Sequence, residues 1–185
     1  MSKMKFGIRE VVAIGIGTAL FIVLSYVSIP FGVIPNTSIQ TRMALLAFFS
    51  AIYGPIVGGS VGFLGHAIAD AFQYGGVWWS WVVSDAIFGI IVGLFVSKFL
   101  IEQGGFKKKQ ILLFNVIQVI SNAIAWVVVA PILDILIYAE PANKVFVQGA
   151  TSLISNSITV GVIGTLLAYA YSKVKAGSSS LSKED

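Results

Sequence analysis

The sequence predicts an all-α integral membrane protein of six transmembrane helices with both termini in the cytoplasm. Three observations carry this. Of its 185 residues, 57% are hydrophobic and 11% charged, where a soluble domain carries about 25% charged residues. Long uncharged runs recur along the chain, each near the roughly 20 residues that cross a bilayer as a helix. Finally, ten of the twelve basic residues fall in three places: the N-terminus (Lys3, Lys5, Arg9), the stretch with Lys98 and Lys107 to Lys109, and the C-terminal end (Lys173, Lys175, Lys183). The positive-inside rule assigns all three to the cytoplasm, which requires an even number of spans between the first and the second.

Residues 11–29 form the first apolar run. With the basic stretch before it the run resembles a signal peptide, but it exceeds a typical apolar signal core and no small-x-small site followed by a soluble domain appears, so it reads as a retained span. The uncharged run 43–69 is interrupted by "YGPIVGG", and Pro55 suits the first turn of a new helix. The run therefore divides into helices over 37–52 and 55–72. A fourth helix over 77–101 tolerates Asp85, and two more occupy 110–133 and 145–172. Merging the middle pair would put the lysine triplet outside. Residues 1–172 thus read as one six-helix membrane domain, and 173–185 as a polar, disordered cytoplasmic tail.

This topology gathers polar and aromatic residues on the outer face: Asn36, Gln40, Arg42, Asp70, Gln73, Tyr74, Trp78, Trp79, Trp81, Asp85, Asp134, Tyr138 and Glu140. His66, the only histidine, lies four residues before Asp70 and so on the same helix face. Either Asp70 orients His66 inside the bundle, or the two line a pocket, or they act as a catalytic or metal centre. Zinc wants three or four protein ligands, and the chain has no cysteine and no second histidine, so no metal site is expected. Ionisable residues inside a span are functional candidates by default.

Trp78, Trp79 and Trp81 suit an aromatic belt at the headgroups. Next to Gly75 and Gly76 they also suit a loop that stacks a planar ligand. The segment "SIPFGVIPNTSIQTR" holds two prolines and cannot be regular helix; it is either a plain connector or a cover over an outer pocket. Gln118, Asn122, Gln148, Ser152, Ser155 and Asn156 recur at helical spacing, as interhelical hydrogen bonds or as ligand contacts. Small residues pair at i, i+4 on the first helix, Ala13 with Gly17 and Gly15 with Ala19. Gly54, Gly58 and Gly62, and Gly89 with Gly93, repeat the pattern later. Such faces let helices approach closely, within the chain or against another membrane subunit. "GPIVGGS" has two glycines at P-loop spacing but Ser60 where the lysine belongs, so no nucleotide site is read. The charge distribution is that of membrane topology and not of nucleic-acid binding.

The stretches "VVAIGIGTALF", "PNTSIQ", "YGPIVGGSVGFLGHAIADAFQYGGVWWSWV" and "IFGIIVGL" resemble the substrate-binding S components of energy-coupling-factor (ECF) vitamin transporters, in the riboflavin-S-component-like group, over about residues 8–172. Within that group the chain is most similar to S components for cobalamin, with riboflavin or another vitamin as the alternative. The resemblance implies a six-helix vitamin-binding subunit of the cell membrane, with no catalytic residues and no cofactor beyond its vitamin. The substrate-binding set it leads us to expect is Asn36, Gln40, Arg42, His66, Asp70, Tyr74, Trp78, Trp79, Trp81, Asp85, Asn122, Tyr138, Gln148 and Asn156. It also implies a membrane coupling subunit and two cytoplasmic ATPases as partners, docked through Ala13 and Gly17 or Gly15 and Ala19. Two other classes stand beside it. An intramembrane enzyme would use His66 and Asp70 with a serine such as Ser60 or Ser84. A standalone secondary transporter would be expected to show internal repeats, and none is evident between the two halves.

Overall fold

The computed structural model describes residues 7–30 and 38–181. Helix α1 (Ile8–Ser25) leads into a short hairpin, β1 (Ser28–Pro30) and β2 (Ser38–Gln40), followed by α2 (Arg42–Tyr53), α3 (Pro55–Tyr74), α4 (Trp79–Gly93) and the one-turn α5 (Val96–Phe99). A long rod then comprises α6 (Lys108–Asn122), a π-helical stretch (Ala123–Val129) and α7 (Ala130–Tyr138). The last rod comprises α8 (Ala142–Thr159), a second π-helical stretch (Val160–Gly164) and α9 (Thr165–Leu181). Among the described residues, three helices are long and apolar enough to cross a membrane: Ile8–Ser25, Lys108–Tyr138 and Ala142–Ser178.

The differences from the sequence reading have local causes. The first helix ends at Ser25 and the second begins at Arg42 because the chain between them pairs as an antiparallel hairpin, with Ser28 opposite Gln40 and Ile29 opposite Ile39. The fourth helix stops at Gly93 and resumes as α5, so 77–101 is not one rod. The rod ending at Tyr138 runs through Pro131, which has no N–H to donate and would disrupt an ordinary helix interior; the wider π-helical turns lie just before it. The last helix continues to Leu181, so the described part of 173–185 is helical and not a disordered tail.

Contacts at the two ends show the rods alternating in direction. At one end Arg9 pairs with Glu102 at 2.6 Å, Tyr171 donates to the same carboxylate oxygen at 3.0 Å, and Arg9 lies 5.0 Å over the Tyr53 ring. At the other end Trp78, Asp134 and Tyr138 meet. The apolar core runs between them through Phe21, Met43, Leu46, Val61, Phe88 and Phe114. Many large apolar side chains on the outer faces of the long rods are exposed, such as Leu136, Ile154, Ile158 and Leu166, as expected of a surface solvated by lipid chains.

The glycines of α3 and α4 bring those two helices together. A Cβ on Gly62 would lie 2.6 Å from the backbone oxygen of Asp85, and one on Gly59 2.7 Å from Ile90 Cγ1. Gly58 and Gly89 face each other in the same seam. Gly62→Val is expected to cost stability at the upper end of the roughly 1–3 kcal/mol typical of overpacking, since the obstacle is backbone. Gly76→Ala, where a Cβ would meet nothing within 4 Å, should stay within about 0.5 kcal/mol. Thermal unfolding in detergent compares the two.

Candidate functional site

The α3–α4 seam brings His66 and Asp85 together. His66 sits one turn beyond Gly62, with Nδ1 2.7 Å from Asp85 Oδ2, while the Asp70 carboxylate expected to orient it is farther from Nε2, at 3.4 Å. Arg42, the first residue of α2, donates from Nη2 to His66 Nε2 at 3.2 Å. That bond needs a lone pair on Nε2, so the ring proton sits on Nδ1, in close charge contact with Asp85 but not aligned for a hydrogen bond to it. The Arg42 guanidinium also lies 5.0 Å over the Phe21 ring, a cation–π contact. All four polar side chains are buried. Asp70 also accepts from the backbone N–H of Trp78 at 3.0 Å, which holds the turn after Gly75, whose φ of +71° ends α3.

A second cluster joins α4 to α7. Asp134 accepts from Trp78 Nε1 at 2.7 Å, from Trp81 Nε1 at 3.0 Å and from the Ser80 hydroxyl. Trp78 stacks on Tyr138 with centroids 4.0 Å apart, and the Tyr138 hydroxyl accepts from the backbone N–H of Trp79 at 2.8 Å. The three tryptophans therefore divide. Trp79 is 46% exposed, and its ring leans on the exposed Phe63 at 6.0 Å, which suits an anchor in the headgroup layer. Trp78, itself 36% exposed, and the half-buried Trp81 are both held by Asp134.

Between the clusters lies a cavity of about 20 Å³, lined by Gln40, Arg42, Trp81, Trp126, Ser152 and Asn156 together with Ser38 and Met43. It has room for about one water. Four of its lining residues carry buried polar atoms without a hydrogen-bond partner: Gln40 Oε1, Arg42 Nε, Trp126 Nε1 and Asn156 Oδ1. Such atoms cost roughly 1–3 kcal/mol each when left unmet, and four of the residues that carry them line this one space. The larger concavity, about 590 Å³, is an open apolar groove of α3 and α4 between Pro55 and Ile90, and its wall offers only the Ser60 hydroxyl as a side-chain polar group.

Of the residues expected from sequence, Gln40, Arg42, Trp81 and Asn156 meet at this cavity, and His66, Asp70 and Asp85 stand behind Arg42. Trp78 and Tyr138 brace Trp81 through Asp134. Asn122 donates to the Gln118 carbonyl and side-chain oxygens, both at 3.0 Å, and Gln118 donates to the Ser157 carbonyl at 3.1 Å, so this pair ties α6 to α8. Gln148 is buried on α8, two turns before Asn156. Tyr74 is 79% exposed at the end of α3, outside the cavity. Asn36 lies outside the described residues. The sequence reading missed Trp126 and the role of Asp134. Trp126 lies in an unbroken apolar run and is turned inward by a π-helical stretch that ordinary helical periodicity does not anticipate. Asp134 carried a signal, a lone carboxylate at a span end, without its indole partners.

Of the two serines named for an enzyme reading, Ser84 donates its hydroxyl to the Ser80 carbonyl at 2.8 Å, and Ser60 lines the open α3–α4 groove.

On α1, Ala13 and Gly17 are buried against the bundle, and a Cβ on Gly17 would lie 2.7 Å from Val61 Cγ2 and 2.9 Å from Phe49 Cδ1. Gly15 and Ala19 are exposed on the opposite face, with nothing within 4 Å of a Cβ built on Gly15.

The family described as ECF-type riboflavin transporter, S component, matches residues 5–173. A UPF0397 protein of Exiguobacterium sp. is 52% identical over 180 residues, covering 97% of this chain and 98% of the relative. UPF0397 proteins of Streptococcus gordonii and Lactobacillus acidophilus are each 51% identical; the first alignment covers 97% of this chain and 96% of the relative, the second 100% of both. No solved structure matches the chain. With the match extending over nearly the whole bundle, the chain belongs to the family of S components of ECF-type riboflavin transporters.

Proposed function

We propose that the chain is the vitamin-capturing subunit of an ECF-type importer, spanning the cell membrane six times with both termini in the cytoplasm. It binds its vitamin at the Trp81 end and hands it inward after docking on a membrane coupling subunit driven by two cytoplasmic ATPases. The observation that carries this reading is the cavity where two indoles meet four unpartnered buried polar atoms. Ligand sites of this kind are mostly apolar with a few well-placed polar groups. The orientation is supported by Arg9, Lys98, Lys107, Lys108, Lys109, Lys173 and Lys175, which belong to the end of the bundle opposite Trp78 and Tyr138.

Two vitamins are in view: cobalamin, from the sequence resemblance, and riboflavin, named in the family's description. Ligand pockets for small molecules run to roughly 300–1,000 Å³, so a cavity of about 20 Å³ is a closed form that must widen. A flat tricyclic ring needs Trp81 and Trp126, 5.9 Å apart and edge to face, to part. A corrin with its nucleotide arm needs much of the bundle end to open. Cobalamin, read from the sequence, thus requires the larger opening and riboflavin, its alternative, the smaller.

Proteoliposome uptake tests the division of labour. The chain alone should bind the vitamin and transport none, while addition of the coupling subunit and ATPases with internal ATP should restore uptake. Transport by the chain alone at the rate of the complex would overturn the reading. The site itself is tested by substitution. Trp81→Ala should weaken vitamin binding about tenfold or more, given the roughly 0.5–1.5 kcal/mol of a stacked ring beyond its buried area. Trp79→Ala, facing lipid in free and loaded states alike, should leave the affinity unchanged. Calorimetry in nanodiscs reads both.

A further inference from the structure

We infer that Arg42 Nε and Trp126 Nε1 are the specificity-determining donors of this site, taking a carbonyl oxygen on a flat heterocyclic ligand, and that His66 with Asp85 positions Arg42 to do so. The inference rests on the S-component reading and deepens it. Of the unpartnered atoms at the cavity, those of Gln40 and Asn156 belong to amides, which rotate to present either a donor or an acceptor. Arg42 Nε and Trp126 Nε1 are donors in every state. Both side chains are more than nine-tenths buried, at 6% and 5% exposure, so water does not readily satisfy them. Trp81, by contrast, spends its N–H on Asp134 and offers the cavity only its ring.

Arg42 is held so that this donor stays free. Its Nη2 is taken by His66 Nε2 at 3.2 Å, and His66 is fixed in turn by Asp85 at 2.7 Å from Nδ1. Its flat face lies on Phe21. With Nη2 engaged and the guanidinium plane set, Nε remains without a partner. A guanidinium so balanced by Asp70 and Asp85 does not demand an anion; a neutral carbonyl oxygen meets the need. Trp126 is aimed by the π-helical stretch and by Gly149, whose missing side chain leaves space for the Trp126 backbone oxygen.

The test uses riboflavin and its 2-thio and 4-thio analogues, in which a carbonyl oxygen becomes sulfur, a much weaker acceptor. Binding is measured by calorimetry in nanodiscs for the wild-type chain, Trp126→Phe and Arg42→Lys, with thermal midpoints to verify folding. For the wild type, one of the two thio analogues should bind at least about tenfold more weakly than riboflavin. In Trp126→Phe, which keeps an aromatic ring and carries the decision if Arg42→Lys fails to fold, that penalty should shrink to about twofold or less. A purely structural role for Trp126 would weaken all three compounds alike. Equal affinity for riboflavin and both analogues in the wild type, or a penalty unchanged in the variants, would overturn the inference. Failure of the wild type to bind riboflavin would overturn it as well. Binding of cyanocobalamin would then leave the S-component reading standing, and binding of neither would remove both.

Discussion

Asp85→Ala is expected to destabilise the protein by about 3–5 kcal/mol, the cost of removing one partner from a buried charged network. Asp85 is fully buried and lies 2.7 Å from His66, whose other nitrogen accepts from Arg42. Without it, His66 Nδ1–H loses its carboxylate and the Arg42 charge keeps only Asp70 nearby. Asp85→Asn preserves the volume and removes the charge, so its loss isolates the electrostatic part. Chemical or thermal unfolding in a single detergent gives the comparison. A cost under about 1 kcal/mol for both variants would mean that the four side chains do not act as one unit.

Gly15→Trp is expected to abolish uptake by the assembled transporter while leaving vitamin affinity and thermal stability near wild type. Gly15 and Ala19 form the small-residue face of α1 that looks away from the bundle, and a close helix contact tolerates no indole there. Gly17→Trp should behave in the opposite way. Its side chain would have to enter space already filled by Val61 and Phe49, so it should fail to fold and lose binding and uptake together. Uptake preserved in Gly15→Trp would move the docking face elsewhere on the subunit.

The two i, i+4 pairs on α1 were equivalent in the sequence, because spacing alone does not say which stripe meets α3. The same limit applied to His66. Its spacing from Asp70 was legible and correct as a shared helix face, yet the shorter contact is to Asp85, which reaches it only because the α3 and α4 glycines let two backbones touch. The glycines were visible as small-residue stripes; their pairing with one another was not. The helices were legible wherever a long apolar run was bounded by charge or by Pro55. They were misjudged where the backbone departs from regular helix, at the hairpin of Ser28–Pro30 with Ser38–Gln40 and at the break after Gly93. Trp126 stayed hidden for that reason also, since a π-helical stretch shifts which side of the rod faces inward.

The most direct test of the central claim is the small molecule that stays bound to the protein through purification. The chain, purified in detergent from cells grown in rich medium and then denatured, should release a vitamin in an amount approaching one molecule per chain, identified by mass spectrometry. Occupancy should fall sharply in Trp81→Ala and stay level in Trp79→Ala. Release of no vitamin from the wild-type chain, together with no binding of riboflavin or cyanocobalamin at micromolar concentration, would contradict the assignment of this cavity as a vitamin site.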